Sequence, residues 1–501
     1  MEKKFIIYQL LLRVFGNTNT DCVPNGSLHI NGTGKFSSIT DEVFAHLHTL
    51  GVSHIWYTGV IEHATKTSFQ EYGIRKDNPS VIKGEAGSPY AIKDYYDVNP
   101  YLADSVENRI AEFENLVLRT HNAGFKVVLD FVPNHLAREY NSDSIPYWAK
   151  DFGIGDNQNI FSPDNNFYYL PGEMFSKGDY IEKPAKATGN DCFTAYPSEN
   201  DWYETVKINY GDSHTATWDK MLDILLYWSG KGVDGFRCDA ADFVPFEFWQ
   251  DCLNQLRAIE GKDLLMLAEG QRKDHFDAGF DMNYAWGWLS ALRRVYNGNT
   301  FNRQGPGAEP GRRMSRTVPV SSLFTSDSLE YAGLPEGKVK LRFTTNHDEC
   351  VKMSPIREFF GPEGSMAAFV ATAYIHGGIL VYGSQEIGYP GRINFFRYVP
   401  MDWEANQTLN KEYTDLLALY NSIPAIRKGE MTPYPDADVL KFSKSHEGDS
   451  VLVLVNVRHE DTYTDTPAEW VGRQCTDLMT GNTVTLGEKI HLDPYGYIIL
   501  R

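Results

Sequence analysis

The stretch Lys126-Val127-Val128-Leu129-Asp130-Phe131-Val132 is a short apolar run, and it breaks off at Pro133-Asn134-His135. It reads as a strand that ends in polar residues. Upstream, Val106 to Asn122 places apolar residues at helical spacing and stops near Gly124, a natural C-terminal cap. Helix, strand and polar strand end form one unit, and the unit recurs. Ile6 to Val14 is a first run. His54-Ile55-Trp56-Tyr57 follows the amphipathic Asp41 to Leu50. Val233 to Cys238 follows Lys220 to Trp228, and Leu264 to Leu267 follows Phe248 to Ile259. Shorter runs lie at Gly279 to Tyr284, Leu341 to Thr345 and Gly378 to Tyr382. Eight such strands alternating with helices imply a mainly parallel sheet. The fold expected is an α/β (β/α)8 TIM barrel. A doubly wound open sheet is the competitor, disfavoured because no Gly-rich phosphate fingerprint follows the first strand.

Two regions leave the alternation. Residues 136–204 are rich in Asn, Asp, Gly, Pro and Tyr, and read as a segment inserted after strand 3. From about 430 the pattern turns strand-like, with Val439 to Phe442, Val451 to Val457 and Tyr497 to Leu500 punctuated by Gly448, Gly481 and Gly487. The expected domains are a catalytic barrel over 1–135 and 205–425, an inserted domain over 136–204, and a C-terminal all-β sandwich over 426–501.

Composition narrows the function. The chain has 501 residues and a formal charge of −19. That acidity argues against nucleic acid and against an anionic membrane surface, and suits a neutral substrate. The six cysteines are scattered, without a CxxC pair, and read as buried thiols. No apolar stretch is long enough to span a membrane. Lys3-Lys4 before Phe5-Ile6-Ile7-Tyr8 faintly resembles a leader, but Gln9 and Arg13 interrupt it and no small-residue cleavage site follows. The segment is expected to be the first strand. The chain as given is expected to be cytoplasmic, or secreted or periplasmic where a leader has been removed.

In a TIM barrel the reactive groups stand at the C-terminal ends of the strands. Here those ends read Asp130 to His135, Gly235-Phe236-Arg237-Cys238-Asp239, Ala268-Glu269-Gly270 and Asn346-His347-Asp348-Glu349. Asp239, Glu269 and Asp348 should converge on one rim. Arg237 lies two residues before Asp239 and so shares its face. Glycoside hydrolysis needs such a set: one protonated acid for the leaving oxygen and one ionised carboxylate across the sugar. Glu269 closes an apolar strand, which favours its acid form. Asp239 sits beside Arg237, which favours the anion.

These segments resemble the signature regions of the α-amylase family, glycoside hydrolase family 13. Asp130-Phe-Val-Pro-Asn-His135 is similar to its DxxxNH region, Gly235-Phe-Arg-Cys-Asp239 to GFRxD, and Phe343-Thr-Thr-Asn-His-Asp348 to FxxNHD. Tyr8-Gln9 with Arg13-Val14-Phe15, Asp94 to Pro100, and Val381 to Gly388 match further segments, so the likeness spans nearly the whole chain. It implies a retaining hydrolase of α-1,4-glucans such as starch, maltodextrin or glycogen. A transglycosylase or an α-glucosidase acting on short α-glucosides is the alternative. Asp239 would be the nucleophile, Glu269 the acid and base, and Asp348 the group that binds and strains the sugar. Arg237 would hold Asp239 ionised, His135 and His347 would hydrogen-bond the sugar, and Tyr90 would stack on it. No cofactor is required. A structural calcium is compatible, with Asn134 at a family ligand position and Asn17, Asn19 and Asp21 offering further oxygens. The chain departs from the family at Pro89-Tyr90-Ala91, at Asp242-Phe243 after the nucleophile, and at Ile379 in strand eight. A barrel kept only for binding usually loses a carboxylate, and all three are present.

Overall fold

The eight apolar runs form eight strands, and the strands close a parallel barrel. The computed structural model describes residues 5–261, 263–297, 318–402 and 405–501; Lys3 and Lys4 fall outside them. The barrel strands are β1 (Ile6–Leu11), β2 (His54–Thr58), β3 (Lys126–Phe131), β4 (Gly235–Cys238), β5 (Leu265–Ala268), β6 (Met282–Tyr284), β7 (Val339–Arg342) and β8 (Gly378–Tyr382). Each pairs in parallel with its neighbours in chain order. β8 closes on β1, with Ile379 opposite Ile6. The strands are apolar almost throughout because both faces are covered, one by the barrel interior and one by helices. Helix Arg109–Asn122 buries Phe113, Leu116, Val117 and Thr120, and Gly124 at φ 85° follows its end. Helix Phe246–Glu260 buries Phe248, Trp249, Cys252, Leu253 and Leu256.

Three excursions rise from the C-terminal rim. After β2, Ile61–His63 pairs antiparallel with Ile92–Val98. After β3, His135–Ala137 pairs with Thr205–Lys207, and residues between them form two small hairpins, Tyr169–Leu170 with Ala185–Lys186 and Phe175–Lys177 with Tyr180–Glu182. Arg138 ties this segment together: it pairs with Glu182 and lies over the Phe175 ring. After β8, residues 383–402 loop across the rim and are anchored where the Arg13 guanidinium donates to the Phe395 carbonyl.

The C-terminal region is all β. Strands β9 (Glu430–Pro433), β10 (Val439–His446), β11 (Asp449–Asn456) and β12 (Tyr497–Leu500) form one antiparallel sheet. Its side chains alternate between two cores, as strand period dictates. Leu440, Phe442, Val451, Val453 and Val455 join the core of the barrel. Val439, Leu452 and Leu454 pack instead with Trp470, Leu486 and Leu492. Those last residues lie on or beside two ribbons, Thr462–Asp465 with Lys489–Leu492 and Gln474–Thr476 with Thr483–Thr485. All six cysteines are free. No helix among the described residues is long and apolar enough to cross a membrane.

Candidate active site

The strand ends at β3, β4, β5 and β6 meet around one guanidinium. Arg237 is wholly buried inside the barrel. Its Nη1 donates to Asp239 Oδ1 at 2.7 Å and to Asp130 Oδ1 at 3.2 Å. Its Nη2 lies 2.9 Å from Glu269 Oε2, and its Nε donates to the Tyr284 hydroxyl at 3.2 Å. The rings of Trp56, Tyr90 and Tyr284 surround it, with centroids 5.2–5.8 Å away. Three carboxyl groups and three π faces surround a buried cation that would otherwise be costly.

Local backbone explains the aim of each acid. The Asp239 amide donates to the Phe131 carbonyl at 2.8 Å, and the Glu269 amide to the Cys238 carbonyl at 2.9 Å, so each residue continues its strand by one step. Ala240 then turns into the left-handed region at φ 46°. The turn points its N–H at Glu269 Oε2, 2.7 Å away. With Oε2 engaged by that amide and by Arg237, Oε1 is the oxygen left to carry a proton. Asp348 stands in the first turn of helix His347–Lys352, whose cap is Asn346; the Asn346 Oδ1 accepts from the amides of Asp348 and Glu349, both at 3.0 Å.

Burial raises Glu269, Asp348 and Asp130, with neighbouring charges as corrections. Glu269 is pushed up to about 8 by desolvation; Arg237 opposes the shift, and Asp239 and Asp348 add to it. Asp348 is raised to about 6, and Asp130 to about 7, again by desolvation first. The side chain of Glu269 keeps 20% of its surface exposed. His135 is lowered to about 4 by burial and is therefore neutral at pH 7.

A cavity of about 270 Å³ opens over this centre. Asp239, Glu269, Asp348, Tyr90 and His135 line it. Arg237 and His347, expected beside them, lie one layer deeper. His347 is 1% exposed, and its ring is spoken for. Its Nδ1 meets Gln9 Nε2 at 2.7 Å, while its Nε2 lies 2.6 Å from the Tyr90 hydroxyl and 3.2 Å from Asp348 Oδ2. The histidine thus braces Tyr90 and Asp348 from behind. The ring of Tyr90 lies 5.2 Å from that of His347. His135 faces Asp239, with Nε2 4.0 Å from Oδ2, and rests against Trp202. Gly189 permits this approach: a Cβ there would come within 2.8 Å of His135 Cβ.

Sequence reading missed the rest of the lining: Lys83, Ser88, Trp202, Glu204, Thr205, Phe395 and Phe396. All come from the excursions. It also missed the layer beneath, where Trp56 Nε1 donates to Asp130 Oδ2 at 3.1 Å.

The comparisons with known proteins agree with this geometry. A family model described as the α-amylase catalytic domain matches residues 9–429, and one described as the maltogenic amylase C-terminal domain matches residues 430–499. The chain belongs to the α-amylase family. The α-amylase MalA of Haloarcula japonica is 25% identical over 486 residues, covering 95% of this chain and 58% of that protein. A cyclomaltodextrin glucanotransferase of Geobacillus stearothermophilus is 21% identical over 523 residues, covering 96% and 64%. The chain therefore spans only 58–64% of the length of these curated relatives. Among solved structures, an α-amylase from Lactobacillus plantarum superposes with a TM-score of 0.71 at 20% identity, covering 99% of this chain and 98% of that one. The cyclic α-maltosyl-(1→6)-maltose hydrolase of Arthrobacter globiformis gives 0.69 at 18% identity, with the same coverage. The structural likenesses speak to the shared fold.

The oxygens expected to hold calcium have other partners in this family member. Asn134 Oδ1 accepts from the Lys207 ammonium at 2.5 Å, and Asp191 pairs with the same ammonium at 2.8 Å. A lysine thus supplies the positive charge at that junction. Asn17 and Asn19 turn their side-chain oxygens onto the amides of Asn19 and Asp21. Among the described residues, two other groups are spaced to hold a cation: Glu62, Asp94 and Asp97, all buried, and Asp461, His491 and Asp493, all exposed.

Proposed function

We propose that this protein is a retaining glycoside hydrolase that cleaves α-1,4 bonds in starch, maltodextrin or glycogen-type glucans. The observation that carries the reading is the single Arg237 fork touching both Asp239 and Glu269 beneath one cavity. Two carboxylates on one guanidinium favour the close spacing, about 5–5.5 Å, of a double displacement over the about 6.5–9.5 Å that admits a direct water. Arg237 occupies Asp239 Oδ1, so Oδ2 is the nucleophile. It forms a bond to the anomeric carbon as Glu269 gives its proton to the departing glycosidic oxygen. Glu269, now ionised, takes a proton from water, whose oxygen attacks the same carbon and frees Asp239. Asp348 accepts hydrogen bonds from ring hydroxyls, and these strengthen as positive charge grows on the sugar. Tyr90 and His135 complete the walls around that sugar.

Of the two clusters spaced for a cation, the buried one fits calcium better. Its donors are all oxygen and Glu62 Oε2 is buried without a hydrogen-bond partner, but Arg109 already pairs with Asp97 and the Lys93 ammonium lies 3.6 Å from Glu62 Oε1, so an ion would compete with both. Any ion there would be structural; a chelator would then lower the melting temperature, and calcium would restore it.

The test of the main reading is a time course on maltoheptaose, followed by chromatography and anomer-resolved NMR, with Asp239→Asn as the blank. Short oligosaccharides released as the α-anomer support it. β-Anomers would overturn it, and products longer than the substrate would move the assignment to transglycosylation.

A further inference from the structure

Part of the cavity lining is a wall of side chains that no strand end supplies. Lys83, in the excursion after β2, reaches the segment inserted after β3. Its ammonium donates to the Asp201 carbonyl at 2.8 Å, lies 3.0 Å from Glu204 Oε2 and sits over the Tyr203 ring. Glu204 is 5% exposed, so this ion pair is largely shielded from water and screening. The loop after β8 joins the same wall: the Ala86 amide donates to the Phe396 carbonyl at 3.0 Å. Gly84, at φ 68°, makes that contact fit, since a Cβ there would come within 2.2 Å of the Phe396 oxygen. Phe395 packs edge-on against both Tyr90 and His347. Lys83, Trp202, Glu204 and Phe396 all face the cavity.

The wall has a definite orientation relative to the chemistry. Glu269, which must face the leaving oxygen, stands on β5. Two of the wall's three sources, the β2 and β8 loops, flank β1, which lies across the barrel from β5. With Trp202 resting on His135, which faces Asp239, we read this wall as the side that receives the part of the substrate that stays on Asp239, the non-reducing side. Beyond Glu269 the rim is open. Asp242, Phe243 and Gln271 are exposed there, with 49% of Phe243 accessible. The cavity, at about 270 Å³, lies at the lower edge of the usual ligand-pocket range of about 300–1,000 Å³.

We infer that the Lys83–Glu204 pair and Phe396 form an end-stop for the non-reducing terminus of the glucan, so that the protein attacks chain ends and releases short products. The inference rests on the hydrolase reading above. An extended chain running through the cleft would have to part a shielded ion pair and displace the Phe396 loop.

The experiment compares two substrates: 4-nitrophenyl maltoheptaoside with a free non-reducing end, and the same compound with that end capped as a 4,6-ethylidene acetal. Cleavage is followed by chromatography of the nitrophenyl products. The capped compound should react slower by about tenfold or more, the scale of steric discrimination by a fitted pocket. The doubly substituted Lys83→Ala, Phe396→Ala protein should narrow that ratio. Equal rates on both compounds with the wild-type protein would overturn the end-stop and leave the hydrolase reading intact. A ratio unchanged in the folded variant would also overturn the assignment to these residues. No cleavage of either compound would remove the hydrolase reading and the end-stop with it.

Discussion

The rim that carries the carboxylates and the wall that encloses the cavity are held by different forces. Asp239 and Glu269 continue regular strands, and their positions follow from parallel pairing between β3, β4 and β5. Asp348 is set by an asparagine cap on a helix immediately after β7. The wall has no such lattice. Lys83, Glu204 and Phe396 come from three separate excursions and meet through one ion pair and a few backbone hydrogen bonds. The rim is thus fixed by cooperative structure, and the wall by contacts that single substitutions can remove. On the proposed reading, chemistry belongs to the first region and selection among substrates to the second.

Substitutions at the rim should therefore abolish turnover without changing the product pattern of what remains. Asp239→Asn removes the proposed nucleophile and should lower kcat by about 10⁴-fold or more. Glu269→Gln should cost about 10²–10⁴-fold on maltooligosaccharides, whose leaving groups need a proton. Arg237→Lys keeps the charge and loses the fork, and should cost about 10²–10³-fold, read as kcat against maltoheptaose. If any of these instead altered product length at normal rate, the division between rim and wall would fail.

The pH dependence sharpens the same point. As the proposed acid Glu269 must be protonated, and its carboxyl is raised to about 8. The rate constant kcat/KM should hold up to that pH and fall about tenfold per unit above it. A fall beginning near 5 would mean that the enclosure of Glu269 does not govern its proton.

The smallest expected effect is on stability. Glu269, Asp348 and Asp130 are all raised in the folded chain. The unfolded chain releases these protons above about pH 4–5, while the folded chain keeps them. The folded state thus binds more protons than the unfolded one, and stability falls as pH rises through the unfolded values. Glu269→Gln removes one such group. It should raise the melting temperature by about 2–4 °C at pH 7 and leave it nearly unchanged at pH 4. Differential scanning calorimetry at the two pH values reads this directly.

The same contrast explains what could be read from sequence. The eight strands were legible because each is a short apolar run that ends in polar residues, as Lys126 to His135 does. The three carboxylates were legible because they close such runs, and Arg237 because strand period puts it beside Asp239. Lys83, Trp202, Glu204 and Phe396 were not, since no periodicity links residue 83 to residue 204 or to residue 396. Their proximity depends on how three irregular loops pack, and single-sequence patterns carry no signal for that. The place of His347 was half legible: its motif marks it, but only the packing of Gln9 and Tyr90 against its nitrogens puts it behind the cavity. The C-terminal sheet was visible in β10, β11 and β12. Its ribbons at Thr462–Asp465 and Gln474–Thr476 are short and largely exposed on one face, so their apolar pattern is weak.

The central claim is that Asp239 attacks the sugar and Glu269 moves the protons. Glu269→Gln protein mixed with α-glucosyl fluoride tests it most directly, because fluoride departs without an acid while release of the sugar still needs the base. The account predicts that a glucosyl adduct accumulates and that peptide mass spectrometry places it on Asp239. Fluoride release with no adduct and formation of β-glucose, or an adduct on another residue, would contradict it.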